Sequence, residues 1–549
     1  MRATRQTHRK QRRDRASLIG RIPGWILGIL ILLPAGAGAQ THHEVVTVEV
    51  VDVPVYVISH GKPVRDLTKG DFELFVNDKR QPIEYFERID FAAAAAPAPA
   101  EARPATMPVA DPRERRLFLL LFDLAYNRPP ALARAQKAAA TMVDRALPQD
   151  FFAVATYNSQ GANFIIPFTR DHDVIRRAVL KLSPSSARDA LAISITNAER
   201  QTAEAWVPLD SSGAGGRGLS GEEPMTDLMA GFAVQDHARA QTLAQSQLDE
   251  FSMIASRLAG LEGYKHAVLF SEGFSSSLYE DGPGAPDAHM ARALQSMAES
   301  FHAAGAILDT VDLGVVGNDV IVTGQTAPSY SSSGQAGTTT NVRRYDESKD
   351  STLFTFAAKT GGQFLHWTND FTAALADLSA SVSAGYRLGF KPVNPRKGPN
   401  KIDVRVKNIP RGATISFRKG FSSAPESPDA SDALLLADII QNDIPQTGTP
   451  PAFSFTERPF IDVVVPARLL AKELGAIDDA KLMLYIFDGK GDAVDYREKK
   501  ISIPATTTAD MAIRLKLALP PGKYVAKALL RVSKSLGFAK VAFTVPVER

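Results

Sequence analysis

Two acids stand where a strand gives way to a loop, and that is where an open α/β sheet does its chemistry. In Phe122-Asp123-Leu124-Ala125-Tyr126-Asn127 the acid closes the apolar run Leu117 to Phe122; in Phe270-Ser271-Glu272-Gly273-Phe274 a hydroxyl and a second acid close the run Ala267 to Phe270. Ligand sites in such sheets gather at the carboxyl ends of strands, so Asp123, Ser271 and Glu272 are expected on one face. Two readings follow. The acids serve a ligand, or they accept hydrogen bonds from backbone N–H groups where helices begin.

Other reactive types are less well placed. Ser275-Ser276-Ser277 lacks the G-x-S-x-G turn that exposes a serine nucleophile, so it reads as a polar loop. His42-His43-Glu44 reads as an amino-terminal tail, and His172, His266, His302 and His366 lack the H-E-x-x-H spacing of a metal helix and read as surface or strand-end residues. There is no phosphate-binding G-x-x-x-x-G-K-[ST] and no G-x-G-x-x-G after the first central strand. Zero cysteines remove disulfides, thiolate metal sites and cysteine nucleophiles together.

The elements that position the two acids lie in a central segment, residues 113–385, where apolar strands alternate with helical stretches. Leu117 to Phe122, Phe152 to Tyr157, Phe164 to Ile166, Ala267 to Phe270 and Ala306 to Val311 read as strands, and continuous apolar runs suit a mainly parallel sheet covered on both faces. Inserts near 208–221 and 314–344 read as loops. In front, residues 44–91 read as a β module, too short for much of a core, that either packs on a neighbour or forms a minimal sandwich, joined by an Ala/Pro linker, 92–112. Behind come trailing strands packed on the core, 386–421, a Pro-rich linker, 422–451, and a β-sandwich, 452–549, with hairpin signals at Gly489-Lys490-Gly491 and Pro520-Pro521-Gly522.

Ordered along the chain, several short motifs resemble the von Willebrand factor type A domain, and more closely its exported acidobacterial "VWFA-related" form. They are the strand ending in Asp123, Val154-Ala155-Thr156-Tyr157, Pro167-Phe168-Thr169-Arg170-Asp171, Ser271-Glu272-Gly273, Thr360-Gly361-Gly362 and Tyr386-Arg387-Leu388-Gly389-Phe390-Lys391-Pro392. Leu67-Thr68-Lys69-Gly70-Asp71-Phe72 resembles that family's leading β module, and the likeness spans about Val45 to Phe421. It implies an α/β fold: a Rossmann-like von Willebrand A domain with a mainly parallel sheet, flanked by an N-terminal β module and a C-terminal Ig-like β-sandwich. It also implies a metal-ion-dependent adhesion site in which hard oxygens hold Mg²⁺. Asp123 matches the family's first acid, but its two serine positions are Ala125 and Asn127 here, and Glu272 replaces an aspartate. Asp123, Asn127, Ser271 and Glu272 are therefore the metal-ligand candidates of a degenerate site, with Ser183 to Ser186 a substitute for the missing threonine.

The amino end completes the expectation. Basic residues from Arg2 to Arg21, an apolar run Trp25 to Leu33, and Ala37-Gly38-Ala39 make the three parts of a cleavable signal peptide, residues 1–39. Those residues hold eight Lys/Arg and one Asp (+7), so the formal +3 of the whole becomes about −4 for the rest. A nucleic-acid partner has no electrostatic support there. The expected protein is exported, periplasmic or extracellular, without a membrane span after cleavage, and non-enzymatic: a binding or adhesion protein for a protein or envelope component. Two alternatives stand beside it, a hydrolase-like enzyme built around Asp123 and Glu272, and a purely structural envelope protein.

Overall fold

The computed structural model describes residues 50–94, 111–125, 127, 129–158, 160–183, 225–274, 287–314, 329–330, 336–337, 347–366, 370–392, 395–422, 428–455 and 460–546. All lie in the unit that runs from Glu49 to Arg549. The signal segment, the Ala/Pro linker from 95 to 110, the 208–221 insert, Pro184 to Ser186, Ser275 to Ser277 and His42-His43-Glu44 lie outside the described residues.

From the amino end come β1 (Val51–Ser59), β2 (Lys62–Pro63), β3 (Phe72–Val76), β4 (Lys79–Gln81) and β5 (Tyr85–Asp90). The middle carries β6 (Arg116–Asp123), α1 (Pro129–Asp144), β7 (Phe151–Asn158), β8 (Gly161–Thr169), α2 (His172–Leu180), α3 (Met225–Ala259), β9 (Tyr264–Ser271), α4 (Ala288–Ala304) and β10 (Ala306–Asp312). After the short β11 (Ser329–Tyr330) and β12 (Ala336–Gly337) come α5 (Glu347–Thr360), β13 (Phe364–Leu365) and α6 (Phe371–Ser381). Next are β14 (Ala384–Phe390), β15 (Pro399–Val406), β16 (Thr414–Phe417), β17 (Gly420–Ser422) and α7 (Pro428–Asn442). The carboxyl end holds β18 (Ala452–Ser454), β19 (Phe460–Val465), α8 (Ala467–Leu474), β20 (Ile477–Asp488), β21 (Ala493–Ile503), β22 (Met511–Lys516), β23 (Gly522–Val532) and β24 (Ser535–Val545).

The expectation of an α/β chain, a Rossmann-like von Willebrand A domain with a mainly parallel sheet flanked by an N-terminal β module and a C-terminal Ig-like β-sandwich, is corrected. Among the described residues strand outweighs helix, and five of the six sheets are antiparallel throughout. Parallel pairing is confined to the sheet β13-β10-β9-β6-β7-β8, whose outer hairpin β7–β8 is antiparallel. The described residues 50–91 share their sheets with later strands. β14 lies between β1 and β5, and β15 pairs with β3, so strands from the two ends of the middle segment share two sheets, β16-β1-β14-β5 and β17-β15-β3-β4. The physical reason is size: some 45 residues are few for an independent core. The joint core holds Val53, Val55, Leu74, Leu388, Phe390 and Val404 from both ends.

In the central sheet β6 is buried along its whole length. Its side chains alternate, as strand geometry demands. Leu117, Leu119 and Leu121 pack with residues of α3 and α4, while Phe118, Leu120 and Phe122 pack with those of α1 and α6. That double burial is why the run carries no polar residue until Asp123.

The stretch read as a Pro-rich linker, 422–451, contains a helix. α7 is fastened at its carboxyl end. Arg115 donates twice to Asp438, at 2.8 Å each, in a pair only 2% exposed on either side. Lys527 of β23 reaches Asp443 at 2.8 Å, and Ile439, Ile440 and Ile444 pack on Met483, Phe487 and Leu529. The apolar residues of Leu434-Leu435-Leu436-Ala437-Asp438-Ile439-Ile440 supply the buried face that the prolines around it obscured. Beyond it, β18-β19-β22 and β21-β20-β23-β24 enclose a further core.

Candidate functional site

The register of the central sheet brings three strand ends side by side. β6 ends at Asp123, β9 at Ser271 and β10 at Asp312, with Asp312 directly opposite Ser271. All three are buried, Asp123 completely.

Asp123 sits at the centre of a cluster of hydrogen bonds. Its Oδ2 accepts from the Ser271 hydroxyl at 2.7 Å and from Gln247 Nε2 at 2.9 Å, and its Oδ1 accepts from the Ala125 N–H at 2.9 Å. The Ser271 oxygen in turn accepts from the Gly273 N–H at 2.9 Å. Asn127 bridges the same loops: its amide donates to the Phe270 carbonyl at 2.8 Å and its oxygen accepts from the Glu272 N–H at 2.7 Å. Asp312 turns its own loop by accepting from the Gly314 N–H at 2.7 Å. One carboxylate and two amides thus tie the ends of β6 and β9 to the middle of α3, where the β6 and β9 loops leave.

Asp123, Asn127 and Ser271 are brought together as a lock, which Glu272 joins through its backbone N–H. Mg²⁺ requires about six oxygens in octahedral order and keeps several waters. Here both Asp123 oxygens receive N–H or O–H donors, the Asn127 oxygen receives a backbone N–H, and Asp123 is 0% exposed. This donor arrangement does not fit the ion. Among the described residues no group of three or more His, Asp or Glu is placed to hold a metal.

Gln247 is the member that sequence reasoning missed. It lies on the buried stripe Ala244, Leu248, Phe251, Ala255 of α3, where a polar residue breaks the apolar pattern. That break was the available signal. Its Oε1 is buried without a partner, because the amide has turned its NH₂ toward Asp123. A buried unmade hydrogen bond costs about 1–3 kcal/mol, so the bond to the carboxylate outweighs it.

Among the described residues the histidines do not converge on a common point. His172 contacts the Asp150 carbonyl at 3.0 Å, His302 the Lys359 carbonyl at 2.9 Å, and His366 stacks on Phe364. His266, expected at a surface or strand end, is instead 2% exposed; its Nδ1 meets Asp309 Oδ2 at 2.9 Å and its ring stacks on Phe118. The pair is sealed under β1, whose Tyr56 ring lies 5.5 Å from the imidazole.

No family model and no curated protein matches the chain. Among solved structures it is similar to the chicken interferon gamma receptor alpha chain at 9% identity, over 32% of this chain and 77% of that one, with a TM-score of 0.14. It is also similar to the FN1–FN3 domains of chicken CNTN1 at 12% identity, over 31% and 50% of the respective chains, with a TM-score of 0.13. Likenesses this slight carry no argument about fold or function. Among the described residues no helix is long and apolar enough to cross a membrane.

Proposed function

We propose that this chain is an exported binding protein that engages a protein or cell-envelope partner through the loops leaving β6, β9 and β10. The observation that carries the reading is the lock itself. Binding residues sit most often on loops held by a rigid scaffold, and Asp123, Gln247, Ser271 and Asn127 fix the roots of two such loops within hydrogen-bonding distance of each other. Export rests on the three-part signal at residues 1–39, and the mature chain is expected to begin at Gln40.

The test places a photo-crosslinking side chain at exposed Ala125, beside the lock, or at exposed Arg411, away from it. The full chain is expressed in its own cells and irradiated. A discrete adduct from position 125 and none from 411 is expected. Equal labelling from both positions would defeat the reading, as would turnover of ester, peptide or glycoside substrates that falls with Asp123→Asn.

A further inference from the structure

At the opposite end of the central sheet a cleft of about 360 Å³ opens between β1, the start of β9, the end of α4 and the residues around β17. Its charged lining is uneven: Arg113, Lys265, Arg387 and Arg418 face Asp52 and Glu262. Three of the four cations are already occupied. The Lys265 ammonium donates to the Leu258 and Leu261 carbonyls at 3.2 and 2.7 Å. Arg387 pairs with Glu87 and reaches the Tyr85 hydroxyl through its terminal nitrogen, though its Nε is buried without a partner, and Arg113 stands 3.9 Å from Glu262.

Arg418 is different. It lies between β16 and β17, and among the described residues its guanidinium makes no hydrogen bond and no ion pair; its Nε is buried without a partner. Burial lowers its affinity for the proton to a pKa of about 10, and the Asp52 charge restores only part of that. Room for the guanidinium is made by Gly305, the left-handed cap of α4, where a Cβ would lie 3.1 Å from the arginine's Nη1. A desolvated cation without a partner is costly. An arginine fork is the group that proteins use to take oxyanions two hydrogen bonds at a time.

We propose that the cleft at Arg418 is a binding site for a small oxyanion, a carboxylate or a phosphate, seated on the Arg418 guanidinium at the amino ends of β6, β9 and β10. The site is independent of the loops at the other end of the sheet. The two sources of oxyanion are separated by the probes. Titration calorimetry of the purified full chain with inorganic phosphate and with succinate, each against chloride at matched ionic strength, is expected to give saturable heat with at least one of the two. Arg418→Gln should weaken that binding about 10-fold or more, and Asp52→Asn, which removes the competing carboxylate, should tighten it. Succinate alone identifies a carboxylate site, phosphate alone a phosphate site. Binding of neither, or equal binding by Arg418→Gln, overturns the proposal.

A second variant guards against a folding defect. Arg418→Met keeps the volume and removes the unpaired charge, so in chloride it should melt no lower than the parent, and it should not respond to the anion. An Arg418→Met chain that melts lower in chloride, beside a parent that phosphate and succinate leave unmoved, would mark Arg418 as a packing residue only.

Discussion

Replacing Asp123 by alanine removes the acceptor for three donors at once: Ser271 Oγ, Gln247 Nε2 and the Ala125 N–H. Asp123 and Ser271 are sealed, and Gln247 is 1% exposed, so water reaches the vacated acceptor position poorly. Each hydrogen bond to a charged group contributes about 1.5–3 kcal/mol, and each stranded buried donor costs about 1–3. The carboxylate's own burial penalty disappears with it, which offsets part of the loss. A net destabilisation of about 3–5 kcal/mol at the β6–β9 ends is expected. Asp123→Asn keeps the shape and presents an NH₂ to one of the three donors, so about 2 kcal/mol is expected. The chain holds several cores, so one global unfolding curve would blur a local effect. Hydrogen exchange resolved to peptides from β6 and β9 reads it directly. At about 1.4 kcal/mol per factor of ten, Asp123→Ala should speed exchange there by a few hundred-fold or more, with peptides from β20 and β23 unchanged. An acceleration of less than about threefold would refute the lock. So would Mg²⁺ that protects these peptides in the parent and not in Asp123→Ala.

Three further outcomes follow from the geometry. His302 is buried and its pKa is held down to about 4, chiefly by desolvation. The unfolded chain therefore takes up that proton first, and stability present above pH 6.5 is lost as pH falls toward 4, by as much as about 3 kcal/mol; urea midpoints at pH 7 and 4.5 should differ by less in His302→Gln. Gly362 lies where a Cβ would come within 2.1 Å of the Leu308 carbonyl oxygen, so Gly362→Ala should cost at least about 3 kcal/mol or abolish soluble expression, whereas Gly412→Ala, with open space around it and only the strain of its positive φ, should cost about 1 kcal/mol. Asp438→Ala strands the buried Arg115 guanidinium and should cost about 3–5 kcal/mol, seen as early proteolytic release of α7 while Asp495→Ala at a more exposed pair stays within about 1 kcal/mol.

Strands buried on both faces were legible in the sequence, because an uninterrupted apolar run such as Leu117 to Phe122 has few other uses. The same holds for Phe152 to Tyr157 and Ala306 to Val311, each of which lies inside an observed strand. Partnership was not legible. Nothing local in Tyr386 to Phe390 says that it inserts between β1 and β5, some 300 residues earlier. β21 escaped notice because Asp495-Tyr496-Arg497-Glu498-Lys499-Lys500 is charged. It is an edge strand, and charge is how such an edge is kept from pairing with another chain. At the site, the acids at strand ends were readable, but their use was not. Whether Asp123 faces an ion or three donors depends on Gln247, which arrives from a helix more than a hundred residues downstream.

The placement of β14 between β1 and β5 also sets an order of events. A chain made from its amino end presents β1 about 330 residues before the strands that flank it, β14 and β16, exist. Until then its backbone N–H and C=O rows are open, in a segment rich in valine, which is the setting for mispairing. Pairing at that separation also makes for slow closure. A truncated product ending before Ala384 would carry β1 and β5 with no strand to join them. Translation through Phe417, most of the chain, is thus a condition for the first sheet.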